Sequence, residues 1–190
     1  LEGIQALKVE ALAIPDVKKI TPKRLGDSRG YFVELFKDAW FRQHVADLTF
    51  VQDNESLSAE VGTIRGLHFQ TPPFEQGKLV RCVAGALVDV AVDIRKGSPT
   101  FGQWVAAELT PETGDMLWVP PGFAHGFATL KPSTIINYKV TAPYSGEHDK
   151  GVKWNDPAIG VQWPQFEKTH LSAKDEKQPL LAELPDYFKI

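Results

Sequence analysis

KLVRCVAGALVDVAVDIR, residues 78–95, is β-branched, apolar and alternating, and it sets the secondary-structure class of the chain. Its second half sorts into two faces. Ala86, Val88, Val90, Val92 and Ile94 are wholly apolar, whereas Leu87, Asp89, Ala91, Asp93 and Arg95 mix carboxylates with small residues. On an arbitrary strand the mixed face is more often solvated. If it lines an interior, each carboxylate needs a partner, because an unpaired buried charge is expensive. A histidine standing opposite would decide for the interior.

The same cadence extends in both directions. TFVQDNESLS (49–58), VGTIRGLHFQ (61–70), QWVAAEL (103–109), DMLWVP (115–120) and STIINYKV (133–140) read as strands separated by Gly/Pro turns, which predicts an antiparallel sandwich or barrel. One short helix is predicted over Asp38–Ala46, with Asp38 as its cap. The near-duplicates GVKW (151–154) and GVQW (160–163) read as two similar turns, since a solenoid needs more copies. No linker separates a second domain. The expectation is a single domain over 1–190, with its core at about 26–165 and a polar tail at 166–190.

Composition narrows the function classes. With 190 residues and 43% hydrophobic content the chain can bury a full core. No apolar run approaches the ~20 residues of a membrane span, and no signal-peptide pattern opens the chain, so no membrane partner is expected. Cys82 is the only cysteine, which rules out an internal disulfide or a Cys-based zinc site and fits a reducing cytoplasm. A net charge of −3 argues against nucleic acid as a general partner.

Two histidines carry the next step. In GDMLWVPPGFAHGFATL (114–130) the order Gly114, Pro120, Gly122, His125 resembles the second motif of the cupin superfamily, and Gly62 with His68 resembles the start of the first. This implies an all-β double-stranded β-helix, the cupin jelly roll, with short peripheral helices. In metal-binding cupins the ligand positions would fall on His68, Gln70, Glu75 and His125. Gln70 replaces an imidazole and is a poor ligand for transition metals, so no metal is expected. A metal-dependent cupin dioxygenase or isomerase stays open as a second class, separable by elemental analysis.

A closer resemblance runs through GDSRGYFVELF (26–36), FVQDNESLS (50–58), IRGLHFQ (64–70), QGKLVR (76–81), DVAVDIRKGSPTFG (89–102), PPGFAHGF (120–127), NYK (137–139), GVKWNDP (151–157) and LSAKD (171–175). In order and spacing these segments resemble the dTDP-4-dehydrorhamnose 3,5-epimerases, cofactor-independent enzymes of dTDP-L-rhamnose biosynthesis. The substrate so implied is a dTDP-linked 4-keto-6-deoxyhexose. Its hydrogens at C3 and C5 flank the carbonyl and are acidic for carbon, so inversion calls for a base, an opposed acid and a cation near the C4 oxygen. The resemblance puts the base on His68, oriented by Asp175, the acid on Tyr138, and Lys78 beside the developing oxyanion. It implies ligand contacts at Arg29, Glu34, Gln52, Asp53, Asn54, Arg65, His125, Tyr144, Asp149 and Lys174. Tyr144 would stack on thymine, and Asp89 would support His125 from behind.

Taken singly, a strand histidine or tyrosine is more often structural than catalytic, and Lys78 or Asp175 would pass for solvated charges. Their joint placement in matching motifs favours the functional reading. The resemblance also implies a homodimer in which Arg29 and Glu34 are shared across the interface. An epimerase of C3 or C5 alone, and a sugar-nucleotide binding module without turnover, remain as alternatives. Finally, strict alternation would set Arg65 and His68 on opposite faces, so a bulge or twist is predicted near Gly66.

Overall fold

The stretch 78–95 is two strands and not one. At Gly85, where φ is 81°, the chain leaves one sheet and enters another. A Cβ there would lie 2.3 Å from Thr134 Oγ1, so only glycine fits this corner.

The computed structural model describes residues 7–190. Its strands are β1 (Leu7–Ala11), β2 (Lys18–Pro22), β3 (Arg24–Asp27), β4 (Gly30–Val33), β5 (Gln52–Ser58), β6 (Ile64–Gln70), β7 (Lys78–Ala84), β8 (Leu87–Asp93), β9 (Trp104–Leu109), β10 (Met116–Val119), β11 (Phe123–Thr129), β12 (Thr134–Val140) and β13 (Asp149–Gly151). Helix α1 spans Asp38–His44, α2 spans Ala173–Glu176, and a 3₁₀ turn covers Leu181–Glu183. One sheet has the order β1-β2-β10-β7-β12-β5, a second has β13-β6-β11-β8-β9, and β3 with β4 forms a separate hairpin. Every pairing between these strands is antiparallel. This is the expected double-sheet jelly roll.

Alternation accounts for the layers. Val80, Cys82, Leu117, Val119 and Ile136 of the six-stranded sheet pack against Leu87, Ala91, Val105, Leu109, Phe123 and Phe127 of the other. The apolar face of β8 is buried as well: Val90, Val92 and Ile94 join Leu67, Phe69, Ala124, Val152, Ile159 and Leu181 on the outer side of the five-stranded sheet. Residues after β13 therefore form a strap across that sheet, where Phe69 meets the rings of Tyr187 and Phe188. On the outside of the six-stranded sheet, α1 inserts Phe41 against Trp118, their ring centroids 5.2 Å apart at 78°.

Three expectations need amending. The N-cap of α1 is Lys37, which makes no side-chain cap bond, and Asp38 lies inside the first turn, where its charge favours the helix N-terminus. The sheet begins earlier than residue 26, because β1 and β2 add two strands to it. Strand β11, although quoted as a motif, is absent from the strands expected above; Pro120, Pro121 and two glycines hide its periodicity.

The anticipated irregularity at Gly66 is present. Between β6 and β11, His125 pairs with His68 but Phe127 pairs with Arg65, so one residue on β11 spans two on β6. Gly66 has φ 134°, and a Cβ on it would sit 2.6 Å from Gly126 Cα. The substitution Gly66→Ala is therefore expected to cost about 3 kcal/mol or more, from backbone strain and overpacking together. A fall in the urea midpoint measures it, and an unchanged midpoint would contradict the close approach.

Candidate active site

Two carboxylate–imidazole pairs are built into the fold. His68 on β6 brings Nε2 to 2.5 Å from Oδ1 of Asp175, which arrives from α2 in the strap. The Asp175 side chain is 3% exposed and that of His68 31%. Burial alone would raise the Asp175 pKa. The hydrogen bond and charge of His68, with contributions from Ser172 and the Gly66 N–H, outweigh it and hold the carboxyl below its ordinary range. An ionised Asp175 can only accept, so Nε2 carries a proton, and in the neutral ring the lone pair then falls on Nδ1. The bulge contributes directly, because it turns Gly66 N–H toward Asp175 Oδ2 at 3.5 Å.

The second pair answers the puzzle of β8. Asp89 Oδ1 lies 2.7 Å from His125 Nε2, and both residues are buried. Asp93, also fully buried, accepts from Arg95, Ser98 and Thr100. Each carboxylate on the mixed face thus has its partner, and that face lines the interior. Oδ2 of Asp89 is buried without a hydrogen bond.

A cleft of about 270 Å³ opens beside His68, with Lys78, Tyr138, Gln52, Asn54, Tyr144, Asp149 and Lys174 in its walls. A second, of about 320 Å³, shares His68 and Lys174 and adds Arg65, Ser172 and Asp175. His68 stands on the five-stranded sheet and Tyr138 on the six-stranded one, so the two flank the same space from opposite walls. Burial of Lys78 lowers its pKa from 10.5 to about 8, with repulsion from Lys174 adding to this and Asp149 and Asp89 opposing it. Burial also raises the Tyr138 phenol, Arg65 pulling the other way. At neutral pH the site therefore offers a protonated phenol and an ammonium around one cavity with the His68 imidazole.

Most of the remaining expected residues reach this region. Arg65 donates to Ser58 Oγ and Leu57 O of β5, so its side chain crosses from one sheet to the edge of the other. Lys174 and Tyr144 both bond Asp149 Oδ2, at 2.5 and 3.3 Å. Asp53 does not reach it. On β5 the period of two that turns Gln52 and Asn54 into the cleft turns Asp53 to the outer face, where it pairs with Lys139 at 2.5 Å. Arg29 and Glu34 also lie elsewhere in this chain. Arg29 is bound to Asp27 at the exposed tip of the β3–β4 hairpin, and Glu34 to Lys37.

Gln76 and Ser172 line these clefts and were missing from the expected set. Ser172 caps α2 by accepting the Asp175 N–H at 3.1 Å, and the Ser-x-x-Asp spacing before a short helix could have revealed it. Nothing periodic marks Gln76 in the loop PPFEQG. Of the cupin metal positions, His68 and His125 give Nε2 to carboxylates, and Gln70 is bonded to the backbone through both ends of its amide.

The family described as dTDP-4-dehydrorhamnose 3,5-epimerase matches residues 11–183. A dTDP-4-dehydrorhamnose 3,5-epimerase of Sinorhizobium fredii is 63% identical over 180 residues, 95% of this chain and 92% of that protein. Among solved structures, the dTDP-6-deoxy-D-glucose-3,5-epimerase of Legionella pneumophila, in complex with dTDP-4-keto-L-rhamnose, superposes with a TM-score of 0.91 at 41% identity, covering 95% of each chain. The Bacillus anthracis dTDP-4-dehydrorhamnose 3,5-epimerase with TDP and diphosphate bound gives 0.88 at 47% identity, covering 92% of this chain and 99% of that one. With its fold, its two carboxylate–imidazole pairs and these likenesses, the chain belongs to the dTDP-4-dehydrorhamnose 3,5-epimerase family.

Proposed function

We propose that this protein inverts C3 and C5 of dTDP-4-dehydro-6-deoxy-D-glucose, giving dTDP-4-dehydro-L-rhamnose for dTDP-L-rhamnose biosynthesis. The observation that carries the reading is the placement of His68 and Tyr138 on opposite sheets across one cleft. An epimerase has to remove a proton from one side of a carbon and supply one to the other, and a base and an acid facing each other meet that demand.

In the proposed sequence His68 Nδ1 takes the proton next to the ketone while Asp175 stabilises the imidazolium. The electron pair moves onto the C4 oxygen, where the Lys78 ammonium meets the developing charge. Tyr138, kept protonated by burial, returns a proton from the far wall. Repeating this at the second carbon completes the reaction. Between the two inversions His68, exposed enough to meet water, releases its proton and the Tyr138 phenolate takes one back through water, which resets both groups. Arg65 and Lys174 are the diphosphate contacts, Tyr144 is the platform for the base, and Gln52, Asn54 and Asp149 supply polar contacts. His125, backed by Asp89, contacts the sugar. The unit is one domain working as a homodimer in the cytoplasm; among the described residues no helix is long and apolar enough to cross a membrane. Support for the dimer comes from the hairpin that carries Arg29, whose Tyr31 and Phe32 are 60% and 61% exposed.

In D2O with dTDP-4-dehydro-6-deoxy-D-glucose, NMR is expected to show deuterium entering both C3 and C5. Exchange at neither position would overturn the reading, and exchange at only one would make this a mono-epimerase. His68→Ala should still bind dTDP while its exchange rate drops by about 100-fold or more.

Lys78 generates two further expectations. Its ammonium is present below a pKa of about 8 and is lost as the pH rises through that value, so kcat should fall on the alkaline side. In Lys78→Arg that limb should vanish, because a guanidinium stays charged. Stability moves the other way. A folded-state pKa below the unfolded one means that the charge opposes folding at neutral pH, and the cost fades between about 8 and 10.5. Lys78→Met should therefore raise stability by on the order of 3 kcal/mol, read from urea unfolding at pH 7, while abolishing exchange.

A further inference from the structure

The segment Thr141–Ser145 carries the most exposed cleft-wall aromatic, Tyr144 at 64%, yet its backbone is tied down almost group by group. The Ala142 carbonyl accepts from Gln76 Nε2 at 2.8 Å. The Pro143 carbonyl accepts from Gln70 Nε2 at 3.0 Å. The Tyr144 N–H donates to Gln52 Oε1 at 3.1 Å, and the Ser145 N–H to Gln70 Oε1 at 2.7 Å. Gln70 Nε2 also reaches Phe74 O at 2.7 Å, so one side chain, only 4% exposed, joins two loops. Three glutamine amides from β5, β6 and the loop before β7 thus do work that water or a regular turn usually does in a surface loop.

We propose that Gln70 is a positioning residue for nucleotide recognition: with Gln52 and Gln76 it clamps the backbone of Tyr144 so that the ring stands preformed before ligand arrives. The inference rests on the reading of Tyr144 as the platform for the nucleobase. An exposed ring on a free loop would lose its mobility on binding, and a clamp removes that cost in advance. Glutamine suits the position because one amide supplies both an acceptor and two N–H donors. A carboxylate could accept from Ser145 but could not donate to Phe74 and Pro143.

The test is a double-mutant cycle read by calorimetric titration with dTDP on the full chain. Tyr144→Ala and Gln70→Met are each expected to weaken binding by about tenfold. Their combination should also weaken it by about tenfold, since both remove the same ring from its place. A double variant roughly hundredfold weaker would show independent effects and overturn the clamp. In turnover the Gln70→Met loss should fall on KM; a loss confined to kcat would assign Gln70 to the reaction and would also overturn it. If Gln70→Met fails to fold, Gln76→Met, which removes a single bond, takes its place in the same cycle with a smaller effect and the same requirement for coupling. Failure of the unsubstituted protein to bind dTDP would instead overturn the functional reading beneath.

Discussion

Carboxylates buried in a β fold have to be answered by donors, and the pairing of Asp89, Asp93 and Asp175 organises the molecule. Asp93 gathers Arg95, Ser98 and Thr100 and thereby closes the turn between β8 and β9. Asp89 holds the ring of His125, and Asp175 holds that of His68. Two of the three answers are imidazoles, and that of His68 lines the cleft. The requirement that keeps the interior electrically satisfied is therefore the same one that orients the groups with chemistry to do.

Lys78 is the exception to this economy. It is buried on the same interior as the apolar core of β7, and its depressed pKa records a fold that would be steadier without the charge. A cation placed where solvent cannot screen it is poorly placed for stability and well placed to meet a forming enolate. The bulge at Gly66 is the backbone counterpart: a conformation closed to other residues, kept where it brings both Arg65 and an N–H to the His68–Asp175 pair.

The β character was legible because it depends on local alternation, and the mixed face of β8 pointed inward as soon as a histidine was set against Asp89. Asp175 shows the limit of that reading. In a polar tail it looks solvated, and the docking of α2 beside Gly66 and His68 of β6 is what sets it among its partners, 2% exposed. Asp53 shows a different limit. A motif match puts Gln52, Asp53 and Asn54 together, while the period of a strand separates the middle one from its neighbours. Gln70 could be read only for what it is not, a metal ligand; its partners lie 4 and 73–75 residues away, and no local pattern announces them.

The strap has a consequence for the order of synthesis. His68 and Asp175 are 107 residues apart, and strands β7 to β13 lie between them in the chain. A nascent polypeptide on the ribosome already carries β6 and its partner β11 while the carboxylate is still untranslated. Until α2 emerges and docks, the imidazole has no acceptor to fix its tautomer, and the proposed base is the last group of the site to be armed.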